Sequence, residues 1–239
     1  MQKGMTRLGE HPKPCPSNRR STLSEVSPRV RKACEELRCL LNWGYPKQSA
    51  LEFVSNHHKL LLEERNILAR TVFPDQLAAD LKRRRVDPRE VRGKELGIDG
   101  YNVLITVESM VEGKTLFLCD DGWVRDVSAV FGRHRITPTT QKALAELLNL
   151  LDQLKPSWFE FLFEKQVSWS GRLAELVRRE IDKRELDGTA KTVSKVDSKL
   201  KGGYEFIATS DHAIILKHYK VLDLPSLLVE RLGTQLLRM

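Results

Sequence analysis

The spacing of apolar residues predicts helices in the first part of the chain and alternating strands and helices in the rest. Residues 27–95 have apolar positions at helical spacing, with Ser27 as a cap and Pro28 at the first helical position. From residue 96 the order is strand, hairpin, helix, strand, helix, strand, strand, helix. This order indicates an α/β fold, a mostly parallel sheet flanked by helices, after a small all-α domain.

We therefore predict a flexible basic tail over residues 1–26, a helical basic domain over 27–95 and an α/β domain over 96–239 with a hairpin insertion and a C-terminal helix. The apolar run 96–107 is predicted to be one buried strand, with Asp99 near its start and Asn102 as a second polar interruption.

The later elements follow from the same patterns. We predict a hairpin over 114–130, a helix that starts at Thr137 and ends before Pro156, a strand over 158–163 and a helix over 171–186. Short strands are predicted over 190–196 and 204–211, followed by a segment 212–216 that continues the strand or starts another, and by a helix over 223–237.

Acidic residues stand at or near the ends of the predicted strands. Ligands bind at the carboxyl ends of parallel strands, so Asp99, Glu164, Asp197 and Asp211 are predicted to converge there. Four carboxylates would repel one another unless a cation neutralised them, and oxygen ligands favour Mg²⁺ or Mn²⁺. Such a site predicts phosphodiester hydrolysis. Each acid alone also has a structural explanation as a turn former, surface residue, helix cap or strand end.

Other polar residues have two interpretations each. Ser168 and Ser170, at a predicted helix start with Arg172, either hold a phosphate or cap the helix. Asp120 and Asp121 are explained by a hairpin turn and Asp126 by an exposed strand face. We retain these three acids as second-rank candidates.

The net charge of +8 is concentrated at the start of the chain. Residues 1–95 hold 20 of the 40 basic residues but 12 of the 32 acidic ones, which favours a polyanionic partner. The densest basic cluster contains Arg83, Arg84 and Arg85. It is either a solvated helix end or a phosphate-binding patch.

The four cysteines form no Cys-x-x-Cys pair, which indicates reduced thiols and a cytoplasmic protein. A metal held by Cys34, Cys39, His57 and His58 fits no standard zinc spacing. No apolar run is long enough to span a bilayer, so we expect no membrane association.

Residues 96–216 resemble the PIN-like and NYN-like nuclease superfamily. The motifs that carry the resemblance are Ile98-Asp99-Gly-Tyr-Asn102, Phe163-Glu164, Val196-Asp197-Ser-Lys-Leu200 and Ala208-Thr-Ser-Asp211. The whole chain also resembles an uncharacterised prokaryotic family that joins a helical domain of unknown function to such a domain. The resemblance implies a metal-dependent ribonuclease fold. The inserted hairpin is not a usual feature of that superfamily, so Asp120 or Asp121 could replace Glu164 as the second acid.

These observations predict a Mg²⁺- or Mn²⁺-dependent nuclease acting on RNA. Asp99, Asp197 and Asp211 would be metal ligands, with Glu164 as ligand or water-orienting base, and Asn102, Ser170 and Ser210 would position phosphate. The alternatives are a non-catalytic RNA-binding or assembly protein and a small-molecule phosphohydrolase. A homodimer is left open.

Overall fold

The computed structural model describes residues 26–127 and 134–238. The tail predicted over 1–26 therefore lies almost wholly outside the described residues, as does the end of the predicted hairpin, 128–130. No helix among the described residues is long and apolar enough to cross a membrane.

The first part of the described chain is helical, as predicted. Ser27 accepts a hydrogen bond from the Val30 amide at 3.3 Å and so caps the first helix. The helices are α1 Pro28–Asn42, α2 Lys47–His57, α3 Leu62–Thr71 and α4 Asp75–Lys82, followed by a 3-10 helix Pro88–Val91.

The second part alternates strands and helices. Its elements are β1 Glu95–Asp99, α5 Gly100–Val111, β2 Leu116–Leu118, β3 Val124–Arg125, α6 Pro138–Leu154, β4 Trp158–Glu164, α7 Ser170–Asp182, β5 Gly188–Val193, α8 Val196–Gly203, β6 Phe206–Ala208, α9 His212–Ile215, β7 Val221–Leu222, α10 Leu224–Leu228 and β8 Leu236–Arg238.

The main sheet has five strands in the order β5-β4-β1-β6-β7. Every neighbouring pair is parallel, with β1 at the centre between β4 and β6. The predicted hairpin is formed by β2 and β3, which are antiparallel, and β8 adds a parallel strand beside β2. The predicted fold class, a parallel sheet flanked by helices after a helical region, is confirmed.

The prediction of one strand over 96–107 is wrong beyond Asp99. Asp99 ends β1 and caps α5, and the apolar run that follows is a helix buried on most of its surface. Gly100 permits the close approach of α5 to β4, because a Cβ atom there would collide with the ring of Phe163 and the carbonyl oxygen of Leu162.

Three further predictions are corrected after residue 190. The strand β5 ends at Val193, so Asp197 lies in the first turn of helix α8 rather than directly after a strand. Residues 212–216 neither continue the preceding strand nor start another one, because helix α9 begins at His212. The closing helix predicted over 223–237 is the short α10 followed by β8, and Gly233 takes a positive φ of 59° between them.

The sheet is covered on both faces, which explains its almost continuous apolar strands. Along β4, Phe161 and Phe163 belong to the core formed with α5, α6, α7 and α10. Leu162 points to the other core, which contains α1–α4, α8 and α9. The helical region and the sheet therefore share one of the two hydrophobic cores.

The cysteines differ from the expectation of four reduced thiols. Cys34 and Cys119 are buried free thiols, whereas Cys39 is disulfide-bonded.

Candidate functional site

A pocket of about 290 Å³ opens at the carboxyl ends of the central strands. Asp99 comes from the end of β1, Glu164 from the end of β4, Asp197 from the start of α8 and Asp211 from the segment after β6. The structure thus brings all four predicted acids to one place. The lining residues are Asp99, Tyr101, Asn102, Glu164, Val196, Asp197, Asp211, Ala213, Ile214 and Lys217.

The strand order explains why the pocket forms here. The chain builds β1, β4 and β5 outward in one direction and then crosses back to place β6 and β7 on the other side of β1. In open α/β sheets the crevice at such a reversal is the usual ligand site, because the connections on either side diverge.

Asp99 is the most buried acid of the pocket, with 4% of its surface exposed. Its Oδ2 accepts hydrogen bonds from Asn102 Nδ2 at 2.6 Å and from Thr209 Oγ1 at 2.9 Å. Burial, with a smaller contribution from the charge of Asp211, raises the pKa of the Asp99 carboxyl to about 6, although hydrogen bonds from the Asn102 side chain, the Thr209 hydroxyl and the Asn102 amide act to lower it. This carboxyl is therefore poised to ionise when a cation approaches.

Thr209 connects two of the acids and was missed by the sequence analysis. Its hydroxyl donates to Asp99 and accepts a hydrogen bond from the Asp211 amide at 3.1 Å. Asp211 in turn caps α9, since its Oδ1 accepts from the Ala213 amide at 2.7 Å. The hydroxyl fixes the position of both acids relative to each other.

Glu164 has a structural partner in the pocket. Its Oε1 accepts a hydrogen bond of 2.8 Å from the Val196 amide at the start of α8. Glu164 lines the pocket, whereas Asp120 and Asp121 are not among its lining residues. Geometry therefore favours Glu164 over the two hairpin acids as the second carboxylate.

Asp197 contacts one backbone amide and one lysine of the same pocket. Its Oδ1 accepts from the Ser198 amide at 2.8 Å, and its Oδ2 lies 3.4 Å from Lys217 Nζ. The slight burial acts to raise the pKa of Asp197, but the Ser198 and Lys217 contacts outweigh it and hold the pKa below its usual value. Lys217 is a second pocket residue that the sequence analysis missed.

The donor atoms of the four acids are all oxygens, which suits a hard divalent cation. Within the described chain, no three of these acids place carboxylate oxygens within 4.8 Å of one another. Mg²⁺ keeps several water ligands and often binds one or two carboxylates directly, so an ion in this pocket would contact some of the acids through water.

The serines predicted to position phosphate do not line the pocket. Ser210 is buried, and its carbonyl oxygen accepts from Arg125 Nε at 2.7 Å. The hydroxyl of Ser170 is 3.4 Å from the Lys165 carbonyl oxygen, and Ser168 is exposed. Arg172 instead lies over the ring of Trp169, with its guanidinium carbon 4.1 Å from the ring centre.

The basic cluster after α4 is largely used in contacts within the fold. Arg84 donates to the His218 carbonyl oxygen at 2.8 Å, and its guanidinium lies over Tyr219. Arg85 donates to the Gly122 carbonyl oxygen at 3.1 Å and to Ser226 at 2.6 Å. Arg83 is more exposed and pairs with Asp80. Of the three, Arg83 is the best placed to meet an external phosphate.

The second-rank acids lie in or beside buried ion pairs. Asp120 receives a bidentate contact from Arg38 at 2.8 and 2.9 Å. Asp121 is fully buried and bound at 2.6 and 2.8 Å by Arg125. The prediction of an exposed strand face for Asp126 is wrong, because Asp126 follows β3 and is buried near the positive charge of Arg70. These contacts give Asp120 and Asp121 a structural role in anchoring the hairpin.

Two family models match consecutive parts of the chain. Residues 29–84 match a family described as a protein of unknown function (DUF434), and residues 88–227 match one described as a domain of unknown function (DUF5616). An uncharacterised protein of Methanocaldococcus jannaschii is 37% identical over 186 residues, which are 78% of this chain and 88% of that relative. No solved structure matches the chain. Because the second match spans more than half of the sequence and includes every pocket residue, the chain belongs to the DUF5616 family.

Proposed function

We propose that this protein is a divalent-metal-dependent nuclease that hydrolyses RNA phosphodiester bonds at the pocket beside Asp99. The observation that carries the proposal is that four acidic residues, from four separate segments, line one pocket at the point where the strand order of a parallel sheet reverses. Isolated acids are common on protein surfaces. Asp99, by contrast, is buried at this point of the sheet with a pKa raised to about 6, and its burial requires an explanation. A cation bound beside it is such an explanation.

Asp99, Asp211 and Asp197 would hold Mg²⁺ or Mn²⁺, with Glu164 as a further ligand or as the group that orients water. When bound, the ion would supply Lewis-acid stabilisation of the charge that develops on the phosphate and would lower the pKa of a bound water. The described residues donate no hydrogen bond to Glu164 Oε2, so this oxygen is available to water.

The neighbouring side chains have supporting roles in this proposal. Asn102 and Thr209 hold the Asp99 carboxyl in one orientation through their hydrogen bonds to Oδ2. Lys217 is the cationic side chain of the pocket lining and would pair with a phosphate oxygen. Tyr101, also in the lining, is fixed against Phe163 with ring centres 5.1 Å apart.

The stacked side chains of Trp169 and Arg172, beyond the end of β4, support single-stranded nucleic acid as the substrate. The ring of Trp169 is 56% exposed and is covered on one face by Arg172. Trp169 also takes a left-handed conformation with φ of 70°, which is uncommon for a bulky residue. Exposed aromatic rings beside arginine bind unpaired bases by stacking, with little sequence preference.

The test is incubation of single-stranded RNA with the full chain in Mg²⁺ or Mn²⁺. We expect cleavage by the parent and a loss of at least about a hundredfold in Asp99→Asn and Asp211→Asn, because each removes a carboxylate that would hold the cation, and the cation stabilises the charge of the transition state. Asp152→Asn is the matched control, since Asp152 is exposed on α6. Equal cleavage by all four proteins, or none by the parent, would refute the proposal.

A non-catalytic RNA-binding protein is the second candidate, and the Asp197–Lys217 contact favours it. An internal ammonium at 3.4 Å can neutralise that acid without a metal. Salt-sensitive RNA binding without cleavage in Mn²⁺ would identify this function. Hydrolysis of nucleotides but not of RNA would instead indicate a small-molecule phosphohydrolase.

A cytoplasmic location belongs to the proposal as well, and the disulfide at Cys39 is the observation that weighs against it.

A further inference from the structure

A second group of metal-ligating side chains lies in the helical region, outside the pocket. Glu36 on α1, His57 at the end of α2 and the adjoining His58 each offer one ligand atom, and these atoms all lie within 4.8 Å of one another. Within the described chain, this group alone brings three such ligand atoms so close.

The local structure holds the three side chains together. On α1, Leu37 beside Glu36 is buried, and on α2 Val54 is buried one turn before His58. Helix α2 stops here because Lys59 takes a positive φ of 50°, and the His58 amide donates to the Val54 carbonyl oxygen at 3.0 Å. The two histidines therefore project from a fixed helix end against the neighbouring helix.

The contacts among the three side chains are close. His58 Nε2 lies 2.7 Å from Glu36 Oε2, and the rings of His57 and His58 are nearly perpendicular, with centres 4.8 Å apart. The side chain of His58 is 9% exposed and that of Glu36 is 38% exposed, while His57 is on the surface. A cation could reach this group from solvent and keep water in its remaining positions.

A simple ion pair accounts for only part of this arrangement. The Glu36–His58 contact needs no metal, and Lys32 Nζ lies 3.9 Å from Glu36 Oε1 as a competing cation. Neither contact involves His57, whose ring instead stacks on Phe53 with ring centres 6.4 Å apart and also lies beside the His58 ring. The thiol of Cys34, two residues before Glu36, is buried and does not belong to this group.

We propose that Glu36, His57 and His58 form a binding site for a divalent transition metal ion. Two imidazole nitrogens with one carboxylate oxygen select Zn²⁺, Co²⁺ or Ni²⁺ over Mg²⁺ and Ca²⁺, which prefer oxygen ligands alone. The bound ion would connect α1 to the end of α2 within residues 29–84. This site is separate from the pocket and does not depend on the proposed nuclease activity.

The test is titration of tag-free full-length chain carrying Asp99→Asn with Zn²⁺ by calorimetry and with Co²⁺ by visible absorption. In this background protein, the Asp99→Asn substitution removes one of the four pocket carboxylates and so weakens the pocket as a competing site. We expect one equivalent of metal to bind, with a Co²⁺ spectrum that shows nitrogen ligation. Glu36→Gln and His57→Ala should each weaken binding at least about tenfold, as expected for loss of a ligand.

Glu52→Gln is the matched control, because Glu52 is an exposed acid on α2 outside the group. It should bind metal as tightly as the background protein. Absence of binding in the background protein, or unchanged affinity in both Glu36→Gln and His57→Ala, would overturn the proposal. Circular dichroism of each metal-free variant must match the background protein, and since His57 is exposed its substitution leaves the fold intact.

Discussion

Asp99 illustrates how a single buried carboxyl links stability to pH. In the unfolded chain it ionises near its ordinary value of 3.8, whereas in the fold burial raises its pKa to about 6. Between about pH 4 and pH 6 the unfolded state loses a proton that the folded state retains, so the contribution of Asp99 to stability declines as the pH rises. Above this window the carboxylate destabilises the metal-free protein by about 3 kcal/mol relative to low pH.

We therefore predict that Asp99→Asn is more stable than the parent at neutral pH in EDTA. The advantage of the variant should grow by about 3 kcal/mol between pH 4 and pH 7, because asparagine does not ionise. Urea unfolding at several pH values measures it, with Asp152→Asn as the exposed control. Parallel pH profiles for the parent and Asp99→Asn would show that the Asp99 pKa is not raised.

Single residues also show how much of the pocket could be predicted from the sequence. Glu164 and Asp211 could be selected because strand ends are visible in the sequence and parallel strands share an edge, whereas the predicted strands at Asp99 and before Asp197 had the wrong ends. Thr209 was missed although a signal exists, since side chains alternate along an extended segment. Thr209 shares a face with Asp211, whereas Ser210, the residue that was selected, points the other way. Lys217 gives no local signal, because only the turn after α9 brings it beside Asp197.

At the scale of elements, apolar runs were more ambiguous than strand ends. The run after Asp99 resembles a buried strand in composition, yet it forms α5, a helix whose buried residues lie on most of its surface. Periodicity cannot separate these two cases when both faces are apolar. The leucines near the C-terminus were ambiguous for the same reason, and β8 depends on β2, a partner more than a hundred residues away.

Helix α8 depends on Glu164, and this dependence separates two roles of that residue. In Glu164→Gln the side-chain oxygen would still accept the hydrogen bond from the Val196 amide, whereas Glu164→Ala would leave that amide without its partner. We predict that Glu164→Ala lowers the free energy of unfolding by about 1 kcal/mol, and that Glu164→Gln changes it by less than about 0.5 kcal/mol. Chemical denaturation of both variants provides the measurement.

RNA cleavage by the same two variants then tests the catalytic role. If Glu164 binds a cation or orients water, both variants lose activity, because neither carries the charge. If the Gln variant cleaves RNA as fast as the parent, capping of α8 is the whole role of Glu164 and the proposed function needs only the three aspartates.

At the scale of the whole molecule, the basic helical region is part of the core rather than an appendage. Charge distribution suggested a separate module that holds a polyanion, but Leu37 and Leu68 share a core with Leu162 and Ile207 of the sheet. Backbone hydrogen bonds of 2.9 and 3.0 Å join Arg84 and Val86 to Val221 in the edge strand β7. A sequence shows which residues are charged, whereas the contacts of Arg84 and Arg85 arise only from the folded arrangement.

We predict that the helical region and the sheet unfold in one cooperative transition. Removing α1–α4 would expose the apolar face around Leu162, so the two parts stabilise each other. Trp123 is fully buried in that shared core, and the other three tryptophans are exposed. A variant that carries Trp43→Phe, Trp158→Phe and Trp169→Phe therefore reports on the shared core by the fluorescence of Trp123 alone. Its fluorescence transition in urea should coincide with the loss of helix measured by circular dichroism. Two separate transitions, or a stably folded fragment 86–239, would show instead that the two parts are independent domains, as the charge distribution alone would suggest.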